Sequence, residues 1–149
     1  MPGRWGLSHV LHVPFYPERK LTRRRVVITG LGIISPVGNT VEQAWQNILA
    51  GRSGIDRVTR FDATNFPVQI AGEVKNFDIA AYLPVKDARR MDTFIHYGMA
   101  AGIEAIRDAG LEAHPANADR IGVSIGSGIG GLPLIETTRD EFVASGVRK

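Results

Sequence analysis

The sequence predicts an α/β fold, with helices layered on a mainly parallel sheet, that is incomplete within these residues. Two β-branched runs, residues 26–30 and 121–125, have the composition of strands buried on both faces. Each run leads into glycine-rich sequence followed by a helical pattern, and a third helical pattern lies between them. This alternation of strands and helices is typical of parallel sheets covered by helices.

The composition fits one globular domain and excludes several kinds of site. Hydrophobic residues make up 44% and charged residues 22% of the 149 residues, which is close to the globular average. The absence of cysteine excludes disulfides, CxxC pairs and thiolate metal sites, and it suits the cytoplasm. A net charge of +3 does not indicate nucleic acid but allows a local basic patch for an acidic partner. No apolar run reaches the length of a membrane span.

A first helix is predicted after the strand at residues 26–30. Asn39 with Glu42, or Thr40 with Gln43, has the spacing of a capping box. Gly51 is placed to end this helix in a left-handed conformation. The mixed sequence from residue 51 to residue 83 contains one possible strand at residues 69–74. The predicted apolar face of the helix comprises Val41, Trp45, Ile48 and Leu49.

The second half of the chain has two helical patterns. The longer runs from about residue 87 to residue 109 and ends at Gly110, and its small residues allow another element to approach closely. Pro133 suits the first turn of a helix that continues through Phe142. On the longer helix, His96 is interpreted as a hydrogen-bonded structural histidine and not as a catalyst.

Two short motifs suggest chemistry, but each has a structural interpretation that fits better. Residues 30–35 approach a dinucleotide fingerprint, yet Ser35 replaces its third glycine and Pro36 delays the helix. A tight structural turn is therefore favoured. Residues 122–126 match the GxSxG nucleophile elbow, but Ser124 lies inside the predicted strand, and no histidine follows it. A serine in a strand interface is the preferred interpretation.

Basic residues cluster at the start of the long helical pattern and at the end of the chain. Most such groups are simply solvated at the protein surface and have no partner. A positive charge at a helix start opposes the helix dipole, however, so an anionic partner would explain the cluster. The two groups are Lys86, Arg89 and Arg90, and Arg148 and Lys149.

Several motifs in a fixed order resemble the amino-terminal part of a β-ketoacyl-[acyl-carrier-protein] synthase of the elongating type II class. The resemblance divides the chain into residues 1–22, a disordered or non-family extension, and residues 23–149, part of a thiolase-like domain. The motifs are RRVVITGLG at 24–32, SPVGN at 35–39, AGRSGI at 50–55, RMDTF at 90–94, DAGL at 108–111 and GSGIGG at 126–131.

The resemblance implies a homodimeric enzyme of fatty-acid synthesis that condenses an acyl thioester with malonyl carrier protein. It places Ile129, with Gly128 and Gly130, at the acyl pocket. It places both basic groups where acyl carrier protein docks, and it implies neither cofactor nor metal. In the family the Cys-His-His set lies beyond residue 149, so this chain is predicted to be inactive alone.

Two alternatives remain open at this point. One is a non-catalytic partner similar to the chain-length factors that pair with condensing enzymes. The other is a dinucleotide-binding domain. If the chain is instead part of such a synthase, the glycine-rich strand and the long helix are expected to pack against the rest of the enzyme, which predicts difficulty in folding alone.

Overall fold

We describe residues 24–147 from a computed structural model, so the predicted extension at residues 1–22 lies outside the described residues. Two-residue strands β1 (Asp56–Arg57) and β2 (Ile70–Ala71) pair antiparallel, and single turns of 3-10 helix lie at Ile79–Ala81 and Ala118–Arg120. No helix in this range is both long and apolar enough to cross a membrane. The four α-helices are α1 (Val41–Leu49), α2 (Val85–Ala88), α3 (Thr93–Asp108) and α4 (Leu132–Ser145).

The mainly parallel sheet is not confirmed in the described residues. The sheet found there is the antiparallel pair β1–β2, and neither residues 26–30 nor residues 121–125 form a strand. A strand needs a neighbouring backbone to complete its hydrogen bonds. Just after the first segment, the backbone bonds α3 instead: the Leu31 N–H donates to Asp108 Oδ2 (2.8 Å) and the Ile33 N–H to Glu104 Oε2 (3.4 Å). The β-branched composition therefore identified apolar segments without identifying their partners.

Helix α1 begins and ends where local sequence signals predict. Thr40 Oγ1 accepts a hydrogen bond from the Gln43 N–H (3.1 Å), and Gln43 Oε1 accepts one from the Asn39 N–H (2.8 Å). The pair Thr40 and Gln43, and not Asn39 and Glu42, therefore caps the helix. Gly51 follows the helix with a φ of 64°, which confirms its predicted role as the terminating residue.

The helix predicted over residues 87–109 is interrupted near its start. Helix α2 ends at Ala88 and α3 begins at Thr93, because Asp92 has extended backbone (φ −76°, ψ 160°) and caps α3 with its side chain. The Asp residue thus acts as a start signal inside the apparent pattern. Gly110, with a φ of 59°, ends the helix as predicted.

Close approach of backbone to α3 is the main packing feature. A Cβ on Gly30 would lie 2.6 Å from the Ala109 nitrogen, and one on Gly32 would lie 2.8 Å from the Ala105 nitrogen. Both glycines are therefore required by packing. The residues buried by this fold are small, so the described part has no core of large buried side chains. Its buried hydrophobic residues are Ala44, Ala63, Ala88 and Ala100.

Candidate functional site

A cavity of about 750 Å³ lies between the first turn of α3 and the length of α4. Its volume is within the range of small-molecule sites in proteins. Three charged residues, Arg90, Asp92 and Arg139, contribute to the lining. The cavity can therefore accommodate an apolar chain beside two guanidinium groups. The apolar part of the lining comes from Phe94 and Ile95 of α3 and from Leu134, Ile135 and Phe142 of α4.

A second cavity of about 480 Å³ adjoins the first at the start of α3. Arg90, Asp92 and Leu134 line both cavities. Arg89 and Thr137 are among the residues that line the second cavity only. The turn between α2 and α3 thus brings two of the predicted docking arginines to a concave surface shared with α4.

The glycine-rich turn that was predicted to form an acyl pocket lies next to the first cavity. Gly130 has a φ of 78°, and a Cβ there would lie 3.5 Å from the ring of Phe94, which lines the cavity. Gly128 has open space around it. Ile129 is 76% exposed and does not line either cavity. The turn is therefore near the cavity, while the role of Ile129 in a pocket stays a prediction.

The predicted docking residues are accessible where they are described. Lys86 on α2 and Arg89 and Arg90 after it are exposed, and within residues 24–147 none of them forms an ion pair. Arg148 and Lys149 lie outside the described residues. The structure leaves the first group available to an anionic partner.

Sequence reasoning missed Arg139, which lines the larger cavity from α4. Its guanidinium Nη1 bonds Asp140 Oδ1 at 2.8 Å, and both side chains are 71% exposed. The spacing of Ile135, Arg139 and Phe142 places them on one helical face. That spacing is the signal that could have identified Arg139.

Two of the remaining chemical candidates have structural explanations, and Ser124 lacks the one predicted for it. His96 Nε2 lies 2.9 Å from the Ala88 carbonyl oxygen, which confirms a hydrogen-bonded histidine that ties α3 to α2. Ser124 is exposed and outside regular structure, so its predicted strand interface is absent. The close packing of Gly30 and Gly32 on α3 accounts for the glycines of the apparent dinucleotide motif.

One tyrosine is perturbed, but it lies away from the cavity. Burial raises the pKa of Tyr82, and the hydrogen bond that its hydroxyl donates to Glu104 Oε1 (2.7 Å) acts in the same direction. Glu104 also accepts from the Ile33 N–H. This network joins three segments of the chain and is structural.

Comparison with known proteins identifies related sequences along most of the chain. The family described as Beta-ketoacyl synthase, N-terminal domain, matches residues 23–146. The 3-oxoacyl-[acyl-carrier-protein] synthase 2 of Vibrio cholerae is 57% identical over 129 residues, which cover 87% of this chain and 31% of that protein. The protein of the same name from Coxiella burnetii is 52% identical with the same coverage. The chain thus spans about a third of the length of these curated relatives.

Solved structures agree with these sequence relationships. The ishigamide ketosynthase/chain length factor has a TM-score of 0.65 and 34% identity, over 83% of this chain and 31% of that chain. A Beta-ketoacyl synthase from Burkholderia phymatum has a TM-score of 0.65 and 29% identity, over 84% of this chain and 31% of that chain. The fold of the described residues is therefore that of the corresponding part of a ketosynthase.

Proposed function

This chain belongs to the β-ketoacyl synthase family, and from that premise we propose that it supplies the amino-terminal part of an elongating 3-oxoacyl-[acyl-carrier-protein] synthase. In the proposed reaction, a cysteine thiolate attacks an acyl thioester and releases the thiol of the carrier protein. Malonyl carrier protein then loses carbon dioxide, and the resulting enolate attacks the enzyme-bound acyl group. The cysteine thiolate leaves, and the product is a 3-oxoacyl thioester.

We propose further that this chain does not catalyse the condensation alone. The reaction requires a thiol nucleophile, and these 149 residues contain no cysteine. What the residues do contain is concave apolar surface and exposed basic residues. Their proposed contribution is therefore to bind the acyl chain and the carrier protein.

The cavity between α3 and α4 is the observation that carries this proposal. Its apolar wall suits a hydrocarbon chain, which gains free energy by leaving water. The turn of Gly128, Ile129 and Gly130 is the proposed acyl-pocket segment, since Gly130 lies beside Phe94 of the cavity wall. The whole enzyme is proposed to be a homodimer, because α4 buries none of its residues in the described chain.

The proposed docking surface consists of Lys86, Arg89 and Arg90, together with Arg148 and Lys149. An acidic carrier protein would be steered to this surface by its charge, and salt would weaken the attraction. The absence of an ion pair at the three described residues within the range 24–147 supports the proposal. No carboxylate of residues 24–147 has to be displaced from them before the partner docks.

The proposal is tested with the purified chain, acyl carrier protein and malonyl carrier protein. We expect no condensation product, and we expect carrier binding that weakens with added salt. The double variant Arg89→Glu/Arg90→Glu should lower the affinity about tenfold or more. Arg57→Glu/Arg120→Glu, at two other exposed positions, applies the same change of net charge as a control. Measurable turnover, or equal losses in the two double variants, would contradict the proposal.

A non-catalytic role similar to that of a chain-length factor is a second candidate. The similarity to the solved ishigamide ketosynthase/chain length factor favours it. Such a partner should co-purify with a cysteine-bearing synthase. Failure to do so at micromolar concentrations, while the carrier still binds, would remove this candidate and leave the first.

A further inference from the structure

Helix α4 lacks a capping residue of its own. Its N-cap position is Gly131, which has no side chain to bond the N–H groups of the first turn. These groups have no partner within a helix and need one from elsewhere. The Leu134 N–H donates to Asp92 Oδ2 at 3.3 Å, although the two residues are 42 positions apart in sequence. A residue of a distant segment therefore serves as the cap.

The same carboxylate also caps α3. Asp92 Oδ1 accepts a hydrogen bond from the Thr93 N–H at 2.6 Å. Its two oxygens thus bond the first turns of two different helices. Both helix ends carry partial positive charge, which a carboxylate between them stabilises. The arrangement links the two helices at the point where they begin to enclose the cavity.

Gly131 shows how closely this carboxylate approaches the neighbouring backbone. Its φ of −91° is accessible to any residue, so conformational freedom does not explain the glycine. A Cβ at this position would overlap Asp92 Oδ2 and would lie 2.7 Å from Asp92 Cγ. A side chain at position 131 would therefore displace the Asp92 carboxylate, and the glycine lets that carboxylate lie against the chain.

Phe94, in the first turn of α3, lies beside the adjacent residue. A Cβ added to Gly130 would lie 3.5 Å from the ring of Phe94. Asp92 and Phe94 thus lie beside consecutive residues of the turn that carries Ile129. The start of α3 sets where this turn lies relative to the cavity.

We infer that Asp92 is a positioning residue for the acyl pocket: by bonding both helices, it sets the location of residues 128–131, and with them Ile129, beside the cavity. The part of this inference that concerns an acyl chain rests on the proposed function. Asp92 acts through the backbone of α4. Within residues 24–147 it forms no ion pair with Arg89 or Arg90. Asp92 therefore does not pair with the arginines of the proposed docking surface.

Two substitutions separate capping of α3 from the link to α4. In Asp92→Ser the hydroxyl remains a good N-cap for α3, but one short side-chain oxygen cannot also reach Leu134. In Asp92→Ala both bonds are lost. Asp78→Ala is the control, because Asp78 Oδ1 caps the 3-10 helix Ile79–Ala81 through the Ala80 N–H (2.9 Å), away from α4 in sequence.

Amide hydrogen exchange and methyl resonances of the full 149-residue chain, followed by NMR, give the primary result. Asp92→Ser and Asp92→Ala should each accelerate exchange of the Leu134 amide about fivefold, as expected for loss of one cap, and shift the Ile129 methyl resonances. Only Asp92→Ala should also accelerate exchange in the first turn of α3. Asp78→Ala should change neither signal. Unchanged Leu134 exchange and Ile129 resonances in Asp92→Ser would overturn the inference.

Titration with dodecanoic acid separates this inference from the proposed function. We expect the chain to bind it and Asp92→Ser to weaken binding about fivefold. If Leu134 and Ile129 change but the unsubstituted chain does not bind dodecanoic acid, Asp92 positions the turn and the proposed acyl-binding function fails. If Asp92→Ser changes both signals and binds with unchanged affinity, the positioning of the pocket is refuted.

Discussion

Helices α3 and α4 are similar in length, at 16 and 14 residues, but the rest of the chain covers them very differently. Ala100 of α3 is 0% exposed, and the backbone at Gly30 and Gly32 lies directly on this helix. Helix α4 buries no residue, and Phe142 on its cavity face is 56% exposed. Small residues, and not large apolar ones, therefore decide which helix is packed within this chain.

Hydrogen bonds to distant segments also distinguish α3 from α4. Helix α3 is linked to distant segments by Asp108 and Glu104, and by Tyr97, whose hydroxyl accepts from Arg60 Nη2 at 3.0 Å. In the described part of the chain, Leu134 makes the hydrogen bond that joins α4 to a distant residue. The apolar surface of α4 is thus available to protein outside these residues, as expected of a family whose members are about three times longer.

The largest expected effect distinguishes two alanines, one on each helix. Ala100→Leu should destabilise the chain by about 3 kcal/mol, because there is no space around a fully buried alanine for a larger side chain. Ala144→Leu, at an exposed position of α4, should change stability by no more than about 0.5 kcal/mol. Urea unfolding followed by circular dichroism measures both. Equal losses would show that α4 is packed as closely as α3.

A smaller effect is expected from two glycines that lie at α3. Gly32→Ala should cost about 1–2 kcal/mol, because its Cβ would overlap the Ala101 carbonyl. Gly102→Ala has open space and replaces a glycine inside the helix, so it should stabilise by about 0.5–1 kcal/mol. The same urea experiment applies. A stabilising Gly32→Ala would disprove the close approach of residues 30–32 to α3.

The smallest effect is a pH dependence of the segments next to β1 and β2, which bond α3 through Arg60 and Tyr97. A hydrogen bond from Thr59 Oγ1 to Glu73 Oε2 (2.7 Å) lowers the pKa of Glu73 below its ordinary value of 4.5. A lowered folded-state pKa means that Glu73 stabilises the fold fully above its unfolded pKa, and the contribution is lost as pH falls through the folded value.

Amide exchange at Thr59 and Arg60, whose N–H groups both bond Glu73, should therefore accelerate slightly as pH falls below about 4.5, relative to the intrinsic rate of exchange. Glu73→Gln should flatten this dependence. A dependence that persists in Glu73→Gln would assign it to another carboxyl group.

Local signals in the sequence identified the ends of several helices. Thr40 and Gln43 cap α1, Gly51 and Gly110 end α1 and α3, and Pro133 lies in the first turn of α4. Each depends on one backbone conformation or one short-range hydrogen bond, which neighbouring residues are sufficient to specify. The interruption at Asp92 was missed because the apolar periodicity continues across it. An Asp directly before Thr93 was nevertheless a capping signal.

The sequence was less informative about which segments of the chain contact one another. The β-branched runs at residues 26–30 and 121–125 predicted strands, but pairing depends on a second backbone, and the described residues do not supply one. Arg139 and Asp92 acquire a role at the cavity only when α3 and α4 are placed together. Apolar periodicity shows that a face will be covered without showing what will cover it.

By itself, the sequence determined the family, the absence of a thiol nucleophile, several helix ends and the basic cluster at residues 86–90, because these depend on residue identity and short spacings. Only the tertiary structure decided that Gly30 and Gly32 pack on α3 and that one carboxylate joins the starts of α3 and α4. Contacts between residues tens of positions apart depend on how the elements pack, which no local pattern specifies.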